Sequence, residues 1–110
     1  MALGMLEVYG FTTAIVVADA GAKAADVEVV AIDKNKPANA DKVEVPLVMV
    51  VKFEGSVSAV ESAVAAGKRE AEMRGMFIAD RVISRQSEEF EWFARLDATG
   101  KDKLRTPKNK

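Results

Sequence analysis

Residues 11–25 (Phe-Thr-Thr-Ala-Ile-Val-Val-Ala-Asp-Ala-Gly-Ala-Lys-Ala-Ala) read as a helix that is apolar almost all the way round. Only Thr12, Thr13, Asp19 and Lys23 interrupt it. A helix on the surface of a globular domain shows one apolar stripe, so apolarity on every side means that both flanks are covered. The chain has 110 residues, enough for one domain with one core. Such a domain covers one flank with its own sheet. The other flank is expected to meet a neighbouring subunit.

The elements around that helix follow from local patterning. Leu3–Tyr9 reads as a first strand closed by Gly10, and Val27–Asp33 as a second, rich in β-branched residues. The stretch Lys34–Lys42 is polar, contains Pro37, Asn35 and Asn39, and reads as a loop longer than a hairpin turn. Val43–Val45 is read as a short extension of a flanking strand. Pro46 has no donor for a ladder and limits pairing at the start of a third strand, Leu47–Glu54.

Gly55 ends that strand, and Ser56 or Ser58 caps a second helix, Ser58 having capping-box spacing to Glu61. Val60, Ala63, Val64, Gly67 and Ala71 form its apolar stripe, Lys68, Arg69, Glu70, Glu72 and Arg74 its polar side, and Gly75 its stop. Met76–Ile83 reads as a fourth strand. Ser87 then looks like the cap of a short helix with Glu88, Glu89 and Glu91 at its positive end, Arg95 at its negative end, and a docking side made of Phe90, Trp92, Phe93 and Leu96. From Asp97 onward the chain reads as a mobile basic tail.

The order β-α-β-β-α-β predicts an α+β fold: a ferredoxin-like antiparallel sheet with both helices on one face, plus the short C-terminal helix. Residues 1–86 are expected to form the domain, and 87–110 the C-terminal helix and basic tail.

Composition narrows the function classes. Apolar residues make up 49% and charged residues 30% of the chain, the profile of a folded globular protein. Net charge is −1, which favours neither nucleic acid nor an anionic membrane. There is no cysteine, hence no disulfide or thiolate chemistry, and no histidine, the commonest general base and metal ligand near neutral pH. Phosphate-cradling glycine motifs are absent. No catalytic set, cofactor or metal site is therefore expected, and with neither a leader pattern nor an apolar run of bilayer length the expected location is cytoplasmic. The aromatic run Phe90, Trp92, Phe93 lacks surrounding cations and reads as helix docking rather than base stacking.

Two readings of function remain open on the residues alone. The first is a self-assembling structural protein, in which Lys34–Lys42, repeated around a ring axis, makes a polar collar. The second is a small oligomeric ligand-binding or regulatory domain with that loop as its sensing element.

The opening Ala2-Leu3-Gly4-Met5-Leu6-Glu7, then Gly10-Phe11-Thr12-Thr13-Ala14-Ile15, Ala18-Asp19-Ala20 and Lys23-Ala24-Ala25, resembles the hexamer-forming class of bacterial microcompartment shell domains. Gly55-Ser56-Val57-Ser58-Ala59-Val60, Ala65-Ala66-Gly67 and Val82-Ile83-Ser84-Arg85 carry the same resemblance, in unpermuted order over about residues 2–86. It implies a non-enzymatic homohexamer that tiles with other shell proteins around encapsulated enzymes, in the bacterial microcompartment shell. It also implies that Lys34, Asn35, Lys36, Pro37, Ala38 and Asn39 line a central pore, and that Lys23 and Arg85 sit at the hexamer–hexamer edge. The stretch after Lys34 is longer than the short lysine-and-glycine turn typical of the family.

Overall fold

The computed structural model describes residues 1–35 and 47–98. Four strands, β1 (Ala2–Tyr9), β2 (Glu28–Asn35), β3 (Val48–Gly55) and β4 (Phe77–Ile83), form one sheet in the order β2-β3-β1-β4. Every neighbouring pair is antiparallel: Leu6 lies opposite Val51 and Asp80, and Ile32 opposite Val51. Two long helices, α1 (Phe11–Ala24) and α2 (Val57–Met73), connect the strands. The expected ferredoxin-like α+β architecture is the observed one.

Alternation decides which side chains meet the helices. Ala2, Leu6 and Val8 of β1 and Met49, Val51 and Phe53 of β3 join Ala14, Val17 and Ala18 of α1 and Val60, Ala63, Val64 and Ala71 of α2 in one core. Period two along the strands and the 3.6-residue stripe along α2 thus converge on one buried layer. Small residues set its thickness. A Cβ added at Gly21 of α1 would lie 2.5 Å from Cζ of Phe53 and 3.1 Å from the Ala63 carbonyl oxygen of α2. Glycine at this position is what lets the two helices and the sheet close on Phe53.

The ends of the helices follow their cap chemistry. Gly10 takes φ 88°, a conformation that L side chains rarely adopt, to turn β1 into α1. Of the two candidate serines, Ser56 caps α2, its hydroxyl accepting from the Ala59 amide at 3.2 Å. The Ser58–Glu61 capping-box spacing is not used, because the helix begins one residue before Ser58. Gly75, at φ 68°, stops α2 as expected.

Two expectations shift, and a third is not reached. β2 continues through Lys34 and Asn35, so these two residues belong to the strand and not to the loop. The expected extension at Val43–Val45 lies outside the described residues, as does Pro46. Asp97 and Ala98 are not tail: both are hydrogen-bonded to Ile32, which fixes the chain well past the short helix α3 (Glu91–Ala94). Among the described residues, no helix is long and apolar enough to cross a membrane.

The closeness of the Gly21 seam makes a prediction. Gly21→Ala gains helix propensity worth about 1 kcal/mol. Its methyl group nevertheless has to displace the Phe53 ring, and overpacking of this kind costs about 1–3 kcal/mol. Urea unfolding is expected to give a lowered midpoint with an unchanged slope.

Candidate functional site

The sheet has a second face, and the residues after β4 lie across it. Leu3, Lys52 and Glu54 point away from the helices by strand alternation, yet all three are buried. The covering segment starts at Gln86, whose amide donates to the Met1 carbonyl at 3.2 Å. It continues through a 3-10 turn (Glu88–Phe90), capped by the Ser87 hydroxyl, into α3.

Lys52 is the centre of this contact, with a side chain only 1% exposed. Its ammonium donates to the carbonyl oxygens of Phe93 at 2.7 Å, in the last turn of α3, and of Leu96 at 3.2 Å, just beyond it. It also lies 4.0 Å above the Phe93 ring and 3.6 Å from the Asp33 carboxylate. A cation at the carbonyl end of a helix meets the negative end of its dipole.

Two residues along the same strand face, Glu54 accepts from Gln86 Nε2 at 2.5 Å and from Arg95 at 3.0 Å. Arg95 lies 3.6 Å from Glu28 as well, so one guanidinium ties the segment to both β2 and β3. Phe93 stacks on Phe90 at 4.8 Å between ring centres, while Trp92 stands perpendicular to Phe93 and is 63% exposed. The expected aromatic docking side is therefore carried inward by Phe93, with Ala94 fully buried, and not by Trp92.

Beside Lys52, a groove of about 430 Å³ runs over the uncovered part of this face, lined by Glu7, Asp33, Lys34, Asp80 and Arg81 among others. Its charges are of both signs and its floor is Met5 and Val50, so it offers no concentrated field to a small ion.

The residues singled out from sequence fall at two opposite ends of the sheet. Lys23, in the last turn of α1, precedes the start of β2, where Glu28 lies opposite Glu54. Arg85 follows the end of β4, where Ile83 lies opposite Leu3, itself opposite Glu54. Both cations thus belong to one end. Lys34 and Asn35 lie opposite Met49 and Val48, at the other end of β3, about 17 Å away at the strand rise of ~3.4 Å per residue.

Lys34 is exposed, and its amide donates to the Asp33 carboxylate at 2.8 Å. Lys36, Pro37, Ala38 and Asn39 lie outside the described residues. Lys23 pairs with Asp19 at 2.8 Å, one helical turn away, and that hydrogen bond and charge raise its pKa. Both side chains are well exposed, so the pair adds little stability. Arg85 is exposed and borders a cleft with Glu54, Gln86 and Arg95.

The apolar surplus of α1 is visible as well. Phe11 and Ile15, one turn apart, are 45% and 43% exposed, and the Gly10 amide donates to the carbonyl of exposed Leu47 beside them. This flank of the helix has no cover among the described residues.

Burial pushes the Lys52 ammonium down to about 8 from an ordinary 10.5, with the Asp97 carboxylate pulling it part of the way back. Between those two pH values the unfolded chain holds more of this proton than the folded chain does. Stability is therefore expected to rise as pH climbs from about 8 to 10.5 and to be insensitive to this group below 8. Urea titrations of the wild type and of Lys52→Met across that range check the sign, since only the wild type carries the slope. Lys52→Ala removes the ammonium donor to the carbonyls of Phe93 and Leu96 together with the buried stem, and is expected to cost about 3 kcal/mol at pH 7.

Comparison with known proteins fits this geometry. The family model described as BMC domain matches residues 2–86. The chain is 37% identical over 83 residues to the bacterial microcompartment shell protein PduK of Citrobacter freundii, covering 76% of this chain and 48% of that one. It is 35% identical over 86 residues to PduK of Salmonella typhimurium, covering 78% and 49%. The chain thus spans about half the length of the curated relatives it matches. A crystal structure of a microcompartments protein from Desulfitobacterium hafniense superposes with a TM-score of 0.68 at 32% identity, over 83% of this chain and 47% of that one. With its sheet order, its two helices on one face and residues 2–86 all matching, the chain belongs to the BMC domain family of bacterial microcompartment shell proteins.

Proposed function

We propose that this chain is a structural, non-catalytic subunit that forms a cyclic homohexamer, tiles with other shell proteins around encapsulated enzymes, and passes metabolites through a central pore. The single observation that carries this reading is the separation of the two charged sets along the sheet. A subunit in a ring has an inner end near the axis and an outer end at the rim. Lys34 and Asn35 at one end suit the axis, and Lys23 and Arg85 at the other suit the rim. The uncovered flank of α1, with Phe11 and Ile15, supplies apolar surface for a head-to-tail contact, which closes into a ring when the rotation is right.

In this reading residues 1–86 are the shell domain, and residues 87–110 are an addition to it. Lys34, Asn35, Lys36, Pro37, Ala38 and Asn39 line the pore, each repeated around the axis, so that lysine charges add where the copies converge. Arg85 crosses the seam between hexamers and donates through its fixed fork of N–H groups to the neighbour's carbonyls. Lys23 lies along the same seam.

Electron microscopy of purified protein tests the reading. Six-fold rings packed edge to edge are expected, and a stable monomer at micromolar concentration overturns it. Arg85→Ala is expected to keep the rings and to lose the extended sheets; sheets of undiminished extent would remove Arg85 from the seam. Lys34→Glu is expected to slow the entry of anionic metabolites into shells loaded with a reporter enzyme. Unchanged flux would remove Lys34 from the pore.

A further inference from the structure

Among the described strands, β2 lies at one edge of the sheet, paired with β3 on its inner side. An open edge strand carries a row of unpaired backbone groups and frays at its ends. At Ile32 both outward groups are nevertheless occupied. The Ile32 amide donates to Asp97 Oδ1 at 2.9 Å, and the Ile32 carbonyl accepts from the Ala98 amide at 2.7 Å. A side chain and the following backbone amide thus pair one residue of the edge as a further strand would. Asp97 and Ala98 lie beyond the residues 2–86 that match the family model.

These contacts close a circuit. Ile32 is held by Asp97 and Ala98, and Asp33, next in β2, accepts from the Lys34 amide and lies 3.6 Å from the Lys52 ammonium. Lys52 in turn grips the carbonyls of Phe93 and Leu96, directly before Asp97. The circuit runs from β2 to β3, across to the end of α3, and back to β2. It encloses the backbone from Ile32 to the exposed Lys34, one residue before the end of β2.

We propose that Asp97 and Lys52 are positioning residues for Lys34, and that residues 86–98 act as a latch setting the direction in which the end of β2 presents it. The consequence for conduction rests on the reading of Lys34 as a pore cation; the latch itself does not. Six copies of an unlatched edge strand would spread their lysines over a range of heights and angles. Six latched copies hold them in one ring, where their field on a passing anion adds.

Amide hydrogen exchange of the full chain, read at single residues, tests the latch. In Asp97→Ala the amides of Ile32 and Lys34 are expected to exchange about tenfold faster, while Leu6 and Val8 in the central strand stay within about twofold of wild type. Asp97→Asn retains an oxygen acceptor and is expected to restore protection at Ile32, which general destabilisation would not do. Unchanged exchange at Ile32 in Asp97→Ala overturns the proposal. So does equal acceleration in β1, or a failure of Asp97→Asn to restore protection. Electron microscopy of the same samples separates the two readings. Local exchange that responds in a protein without rings upholds the latch and removes its role in a pore, whereas rings with unaltered exchange overturn the latch and leave the ring reading standing.

Discussion

The closure of α1 and α2 over Phe53 determines what surface the rest of the chain has left to use. Gly21 sits against the Phe53 ring and the Ala63 carbonyl, and the helices lie too close for a side chain between them. Thr13, Ala14, Val17, Ala18 and Gly21 fill the buried side of α1. Among the described residues, nothing bends round this thin layer to the flank that holds Phe11 and Ile15. The surplus of apolar surface on α1 is therefore a consequence of the seam. A thicker interface with larger residues would raise the helix off the sheet and bring more of its circumference into the core.

The same arrangement leaves one sheet face without helices, and the chain solves that face with charge. Taking an ammonium out of water is expensive unless its donors are met and an opposite charge is near. Lys52 has two carbonyl acceptors, a carboxylate at 3.6 Å and an aromatic ring beneath it. The burial cost still shows in its depressed pKa. An apolar residue there would give similar burial at less cost, but it would not distinguish one docking position of α3 from another. A lysine that must reach two particular carbonyls does.

How much of this was legible in the sequence varies with the range of the interaction. Element order and core came from short-range signals: β-branched strands, the stripe from Val60 to Ala71 on α2, and glycines at the turns. The family resemblance rests on the same stretch, residues 2–86. Lys34 and Asn35 look like loop because lysine and asparagine next to Pro37 carry turn chemistry; pairing with Met49 and Val48 of β3 overrides that local preference.

Lys52 and Glu54 carry no such local signal. At alternate positions in Val48–Gly55 they read as the solvated side of a half-buried strand. The signal that would have found them is indirect. A short helix with an aromatic side needs a surface to dock on, its last carbonyls need donors, and a two-layer fold offers only the face on which Lys52 lies.

One segment holds both the covered face and the edge of β2. If residues 86–98 were merely a cover for Leu3 and its neighbours, apolar contacts would suffice, and the segment would have no reason to reach the edge strand. It meets that strand with a carboxylate and an amide on the two outward groups of one residue, Ile32. That choice does two things at once. It closes part of an edge that would otherwise pair with another chain through its backbone, leaving side-chain contacts such as those of Phe11 and Ile15 to govern association. It also anchors the strand two residues before Lys34, where an unsupported edge is weakest. A ring whose inner surface is built from strand ends needs both: association through chosen faces, and ends that do not fray.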